Sequence, residues 1–257
     1  MANLMYSAKN DVLVTREQLN ELPTPAARGR FHQPIGFGEY VELVDHAMEQ
    51  NGLQLVKPEY AVTKDHNRFF GLAEVQPLEG ELITADDWKL TVGLRGSHDQ
   101  KIPRGLTLGS QVMVCSNLCF SGDLATLQTK QTLNIWARLP EMIRQAVGNI
   151  PELAHVQEQK FDAYKNHVFK SPRHGDAFLV EVFRRGALTS AQMGTAIKEW
   201  DQPKHEEHAE YGYSAWRLLN ACTEALKPSG DNANHDTIRQ RSIAVSSFLD
   251  EITGIDF

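Results

Sequence analysis

The apolar residues of this chain change their period once. Between residues 53 and 120 they alternate by two, as in Trp88, Leu90, Val92 and Leu94 against Lys89, Thr91, Gly93 and Arg95. After Gly122 they fall into stripes three and four apart, such as Ala215, Leu218, Leu219, Cys222, Ala225 and Leu226. A chain that gathers its strands first and its helices afterwards cannot build a regular βαβ array, which needs a helix between successive strands. The pattern predicts an α+β fold in which a central antiparallel β-sheet is preceded by a helix and followed by a mostly helical C-terminal half.

Local signals place the elements. Residues 1–36 read as an N-terminal arm with a short helical turn over Thr15–Leu22, where Thr15 and Gln18 form a capping box and Pro23 and Pro25 stop the turn. Tyr40, Val41, Val44 and Met48 give a helix over 39–51, closed by Gly52. Strands over 53–63 and 68–76 join through Lys64, Asp65, His66 and Asn67, and the strand from Trp88 turns through SHDQKIPRG into a second one over 106–120. Helices are expected over 131–147, divided at Pro140, and over 152–170, 176–185 and 190–200, with later stripes ending at Leu226 and Ile252. The expected division is an arm (1–36), an α+β core with the SHD hairpin (37–150) and a helical region packed on that core (151–257).

Of the 257 residues, 41% are hydrophobic and 23% charged, a balance that supports a real core rather than wholesale disorder. The first residues lack the apolar run of a signal peptide, and no segment approaches the roughly 20 apolar residues that cross a bilayer. Three cysteines are too few and too odd for a disulfide framework. A cytoplasmic protein without a membrane partner is expected.

The net charge of −7 disfavours a surface that is one continuous nucleic-acid clamp. Its distribution is uneven. Residues 88–138 hold six basic residues (Lys89, Arg95, Lys101, Arg104, Lys130, Arg138) against Asp99 and Asp123, whereas 198–210 hold five carboxylates against two lysines.

The polar cluster Ser97, His98, Asp99 sits where a strand turns, and two readings stay open for it. His98 and Asp99 can serve as metal ligands or in acid–base chemistry with a third group from elsewhere; otherwise Ser97 and Asp99 hold the hairpin backbone and His98 caps the core. Cys115 and Cys119 share a strand face with Asn117 and match no zinc-knuckle spacing, so Cys115 and Asn117 are assigned structural roles. His205 and His208 are three apart, not the four of a metalloprotease helix. Tyr211, Tyr213 and Trp216 offer rings for base stacking or for packing. No phosphate-binding glycine loop and no G-x-S-x-G elbow is present. No metal and no cofactor is expected.

The stretch GLRGSHDQKIPRGLTLGSQVMVCSNLCFSG resembles the phage- and plasmid-borne proteins grouped as domain of unknown function 932, in which an S-H-D tripeptide follows a strand and a V-C-x-N strand comes after. Ser97, His98, Asp99 and Val114, Cys115, Ser116, Asn117 carry the likeness, which extends to VTREQL at 14–19 and to AWRLLNACTEALK at 215–227. Where members often have Asn-Gly or Asn-Thr, this chain has Asn117-Leu118, followed by Cys119. The resemblance implies association with mobile genetic elements and brings no assigned catalytic activity with it. The helix–strands–helix plan is similar to that of Rad/RecT-type single-strand annealing proteins, which implies a homo-oligomer acting in recombination.

Together these readings rank binding of single-stranded DNA first, through Arg95, Ser97, His98, Asp99, Lys101, Arg104 and Lys130. Next comes a protein that binds and inhibits a component of a host defence system, and then a metal-dependent hydrolase or nuclease using His98 and Asp99. Binding thus ranks ahead of catalysis.

Overall fold

The computed structural model describes residues 11–80, 88–112, 117–227 and 235–255. Six strands form one sheet in sequential order: β1 (Asp11–Val14), β2 (Leu53–Thr63), β3 (Arg68–Pro77), β4 (Trp88–Ser97), β5 (Arg104–Val112) and β6 (Asn117–Thr129). The fold is α+β, with helices α1 (Arg16–Glu21) and α2 (Phe37–Gln50) before the main strands. The helices α3 (Ile135–Gly148), α4 (Ile150–Asn166), α5 (Pro172–Arg184), α6 (Ser190–Asp201), α7 (Ala215–Leu226) and α8 (His235–Thr253) follow them. No helix among the described residues is long and apolar enough to cross a membrane.

The local signals act as their chemistry requires. The Gln18 N–H donates to Thr15 Oγ1 and the Thr15 N–H to Gln18 Oε1, which closes the capping box of α1. In the β2–β3 turn, Asp65 accepts from Thr63 Oγ1 at 2.6 Å, from the Asn67 N–H at 3.1 Å and from Asn67 Nδ2 at 2.8 Å. These bonds hold its carboxyl down at about 2. Gly52 takes φ +70° just past α2, as a helix-ending glycine does.

The structure corrects one expectation and adds detail to two others. Within the extended arm, residues 11–14 form the edge strand β1, paired antiparallel with Tyr60–Thr63. Pro140 does not divide its helix: α3 runs through it from Ile135 to Gly148, and Gln131 stands outside the helix. β2 carries a register shift between Val56 and Glu59, where Lys57 is left-handed at φ +49° and Pro58 has no N–H to give.

The chain divides into two compact units. One comprises Met1–Ile83, Leu90–Gly109 and Leu124–Leu153; the other comprises Thr84–Lys89, Ser110–Asp123 and Ala154–Phe257. The arm therefore belongs to the first unit, with β1–β3 and most of β4 and β5. There α1 and α2 bury Leu19, Phe37, Tyr40, Val41, Val44 and Met48, and the sheet buries Val62, Phe69, Val92 and Leu108.

The second unit centres on aromatic packing. Phe161 meets the edges of Trp88 and Trp216 at centroid distances of 5.3 and 5.0 Å, a favourable T-shaped geometry on each side. Cys222 is a buried free thiol, pushed up to about 12 by burial, and so acts as a small apolar group. Inside this unit Lys160 Nζ donates to Asp250 Oδ2 at 2.9 Å, and the Tyr164 hydroxyl donates to Asp250 Oδ1. All three residues are buried, so the pair is screened little by water.

Removing the carboxylate leaves the Lys160 ammonium buried without it. Asp250→Ala is expected to destabilise the protein by about 3–5 kcal/mol, read as a lowered urea midpoint, whereas the double change Lys160→Met with Asp250→Leu recovers most of that loss. Equal midpoints for Asp250→Ala and the unaltered protein count against a stabilising role for the cluster.

Candidate functional site

A cleft of about 280 Å³ in the first unit is lined by Arg28, Phe31, His32, Gln100, Ile102, Pro103, Lys130, Gln131 and Thr132. Three segments far apart in sequence build it: the end of the arm, the β4–β5 turn and the residues just after β6. Their chemistry is one-sided, because among the described residues no carboxylate lines the cleft.

Backbone and amide bonds hold the segments together. Gly29 takes φ +79°, which turns the arm so that the Arg28 N–H donates to His32 Nδ1 at 2.9 Å. His32 forms a bridge with Thr132, and the Gln33 N–H donates to the Gln131 carbonyl at 3.2 Å. The Gln131 side chain then works in both directions: Oε1 accepts from the Ile35 N–H at 2.8 Å while Nε2 donates to the Ser97 carbonyl at 2.7 Å. One buried amide thus joins the arm to the end of β4.

The SHD turn is a self-satisfied hairpin. Ser97 Oγ accepts from the Ile102 N–H at 2.9 Å and Asp99 Oδ1 from the Lys101 N–H at 3.1 Å. Asp99 Oδ2 also faces Arg68 at 3.4 Å. The turn bonds and Arg68 outweigh its partial burial and hold the Asp99 carboxyl below its ordinary value. His98 is buried, its ring stacked on Phe37 at 4.1 Å between centroids and its backbone N–H donating to the Asn67 carbonyl.

The seven expected binding residues separate into three groups. Lys101 and Lys130 are exposed, Arg95 and Asp99 are half-buried, and Ser97, His98 and Arg104 are buried. Arg104 is the clearest departure from a phosphate-tracking strip: it is 0% exposed, sits 4.7 Å over the Phe37 ring and donates through Nη2 to the Ile35 carbonyl. A guanidinium so placed cannot touch a strand lying on the surface. Cys115 lies outside the described residues, as does the side chain of Asn117. Among the described residues no group of three His, Cys, Asp or Glu side chains is arranged to hold a metal ion.

The cleft adds residues that the sequence reading passed over. Arg28, Arg30 and Phe31 are exposed, Phe31 by 65%, with the Arg30 guanidinium 4.5 Å above its ring. His32 is buried beside them. The signal was the run RGRFH at 28–32, two cations and an aromatic ring within four residues.

Behind the cleft the field stays positive. Burial first, then the charge of Arg104 and the nearness of His32 and Arg28, push His98 down to about 4, against a weaker opposing pull from Asp99. His32 is lowered by burial and by Arg28. Several buried side-chain nitrogens here have no hydrogen-bond partner: His32 Nε2, His98 Nδ1, and Arg104 Nε and Nη1. Whichever tautomer His98 adopts, its ring is neutral at neutral pH.

No protein-family model, curated protein or solved structure matches this chain. What it does must be read from the cleft.

A histidine whose folded value lies below its unfolded value of about 6.5 binds fewer protons folded than unfolded. His98 therefore contributes stability that is full above pH 6.5 and is lost as the pH falls towards about 4. The urea midpoint is expected to drop across that window, and His98→Gln to shallow the drop while leaving the contribution of His208, also lowered to about 4 by burial. An unchanged slope in His98→Gln contradicts the assignment.

Proposed function

We propose that this protein binds single-stranded nucleic acid, DNA in the setting of phage or plasmid recombination, with the arm and the β4–β5 turn as its contact surface. One observation carries the reading: a cleft free of carboxylates among the described residues, lined by Arg28 and Lys130, with the exposed ring of Phe31 at its edge in a protein of net charge −7. Cations next to an accessible aromatic ring are what a single strand requires, since the phosphates need charge and the unpaired bases need a flat partner. A duplex offers its bases no such stacking.

The contact set differs from the one expected from sequence. Lys101 and Lys130 stay in it; Arg28, Arg30 and Phe31 join it; Arg104 supports it from behind. The rival nuclease reading loses its pair, because Asp99 is occupied by Arg68 and the Lys101 N–H while His98 is stacked on Phe37.

Fluorescence anisotropy with a labelled single strand tests the proposal. Phe31→Ala is expected to weaken binding by about 1–3 kcal/mol for the lost stack. Lys130→Gln is expected to flatten the plot of log affinity against log salt by about 0.7. Both side chains are exposed, so the variants should fold normally. Absence of binding at low salt and micromolar protein sinks the reading.

A further inference from the structure

The strand-binding surface has an inner end that the strand as a whole does not explain. His32 lines the cleft, is only 7% exposed, and uses Nδ1 for its own arm while Nε2 has no partner. Arg28 and Lys130 flank it. A buried donor without an acceptor is costly, and one in the wall of a cleft calls for an anion.

The charge indicates which anion. Arg28 and Lys130 are cations, and among the described residues no carboxylate lines the cleft to offset them. Asp99 is committed to Arg68 and the turn, and Glu39 to the Gly36 N–H. An internal phosphodiester brings a single negative charge, whereas a phosphomonoester carries about −1.5 to −2 at pH 7 and three acceptor oxygens. The space agrees. About 280 Å³ lies at the small end of ligand sites, which run from about 300 to 1,000 Å³, and so fits one terminal group rather than a length of chain.

Building on the strand-binding reading, we infer that this cleft receives the terminal phosphomonoester of a single strand. The phosphate lies between Arg28 and Lys130, accepts a hydrogen bond from the His32 imidazole, and leaves its terminal base to stack on Phe31. The protein then recognises phosphorylated ends in addition to strand interiors.

The experiment is an anisotropy titration with one oligonucleotide made in three forms: 5′-phosphate, 3′-phosphate, and hydroxyl at both ends. One phosphorylated form is expected to bind about tenfold more tightly than the hydroxyl form, and which one it is fixes the polarity of the end. Arg28→Gln, an exposed position, should weaken hydroxyl-ended binding by its share of the strand contact and phosphorylated binding by more, so that the preference disappears; His32→Gln, which removes the unpartnered donor, should also remove the preference. Excess inorganic phosphate should abolish the preference by competition. Equal affinity for all three forms overturns end recognition and leaves strand binding standing; no binding to any form overturns both. A preference that survives Arg28→Gln and Lys130→Gln alike also overturns the assignment.

Discussion

The first unit is organised around a buried guanidinium. Arg104 rises from the start of β5 into the space between Phe37 and Tyr40 of α2, where its charge lies 4.7 and 5.6 Å from the two ring centres. There it donates to the Ile35 carbonyl. Taking such a charge out of water costs several kcal/mol, which the rings and the carbonyl offset in part. The same group therefore fixes the last residues of the arm, the first turn of α2 and the β4–β5 hairpin with respect to one another. Its charge also adds to the burial that keeps His98 neutral. A residue that sequence spacing would place on a binding surface acts instead as the fixed positive charge beneath one.

Much of the fold could be read from local chemistry. The Thr15 capping box, the Asp65 turn and the glycine at position 52 each depend on residues within a few positions, and each forms the structure its side chains favour. The rest was tertiary. β1 holds only four residues, and Val12 and Leu13 remain largely exposed, so it has no strong alternation to announce it. Pro140 was read as a break because it removes an N–H, yet packing of Ile135, Leu139, Ile143 and Val147 on one face carries α3 through it.

The site was legible only by halves. The turn residues and Lys130 stood out as a basic island in an acidic chain, but that island was drawn from one continuous stretch. The cleft is built instead by a contact that sequence cannot display: Gln131 meets Ile35 across a separation of 96 residues. Without that contact RGRFH is a polar piece of an irregular arm. Burial was equally invisible, because Arg104 and Lys101 look alike in a count of charges and differ wholly in what surrounds them.

The room for Arg104 exists because position 96 has no side chain. A Cβ built there would lie 2.3 Å from Arg104 Nη1 and 2.6 Å from its Cδ, closer than atoms can approach. Position 96 is therefore not free to change while Arg104 stays. A lineage that kept the guanidinium would be bound to glycine near the end of a strand, where glycine is otherwise a poor choice. One that shortened residue 104 would lift the restriction on 96 and lose the anchor under its cleft in the same step. Among relatives of this protein the two positions should drift as one, and any that carry a bulky residue at 96 should have found another way to hold the arm in place.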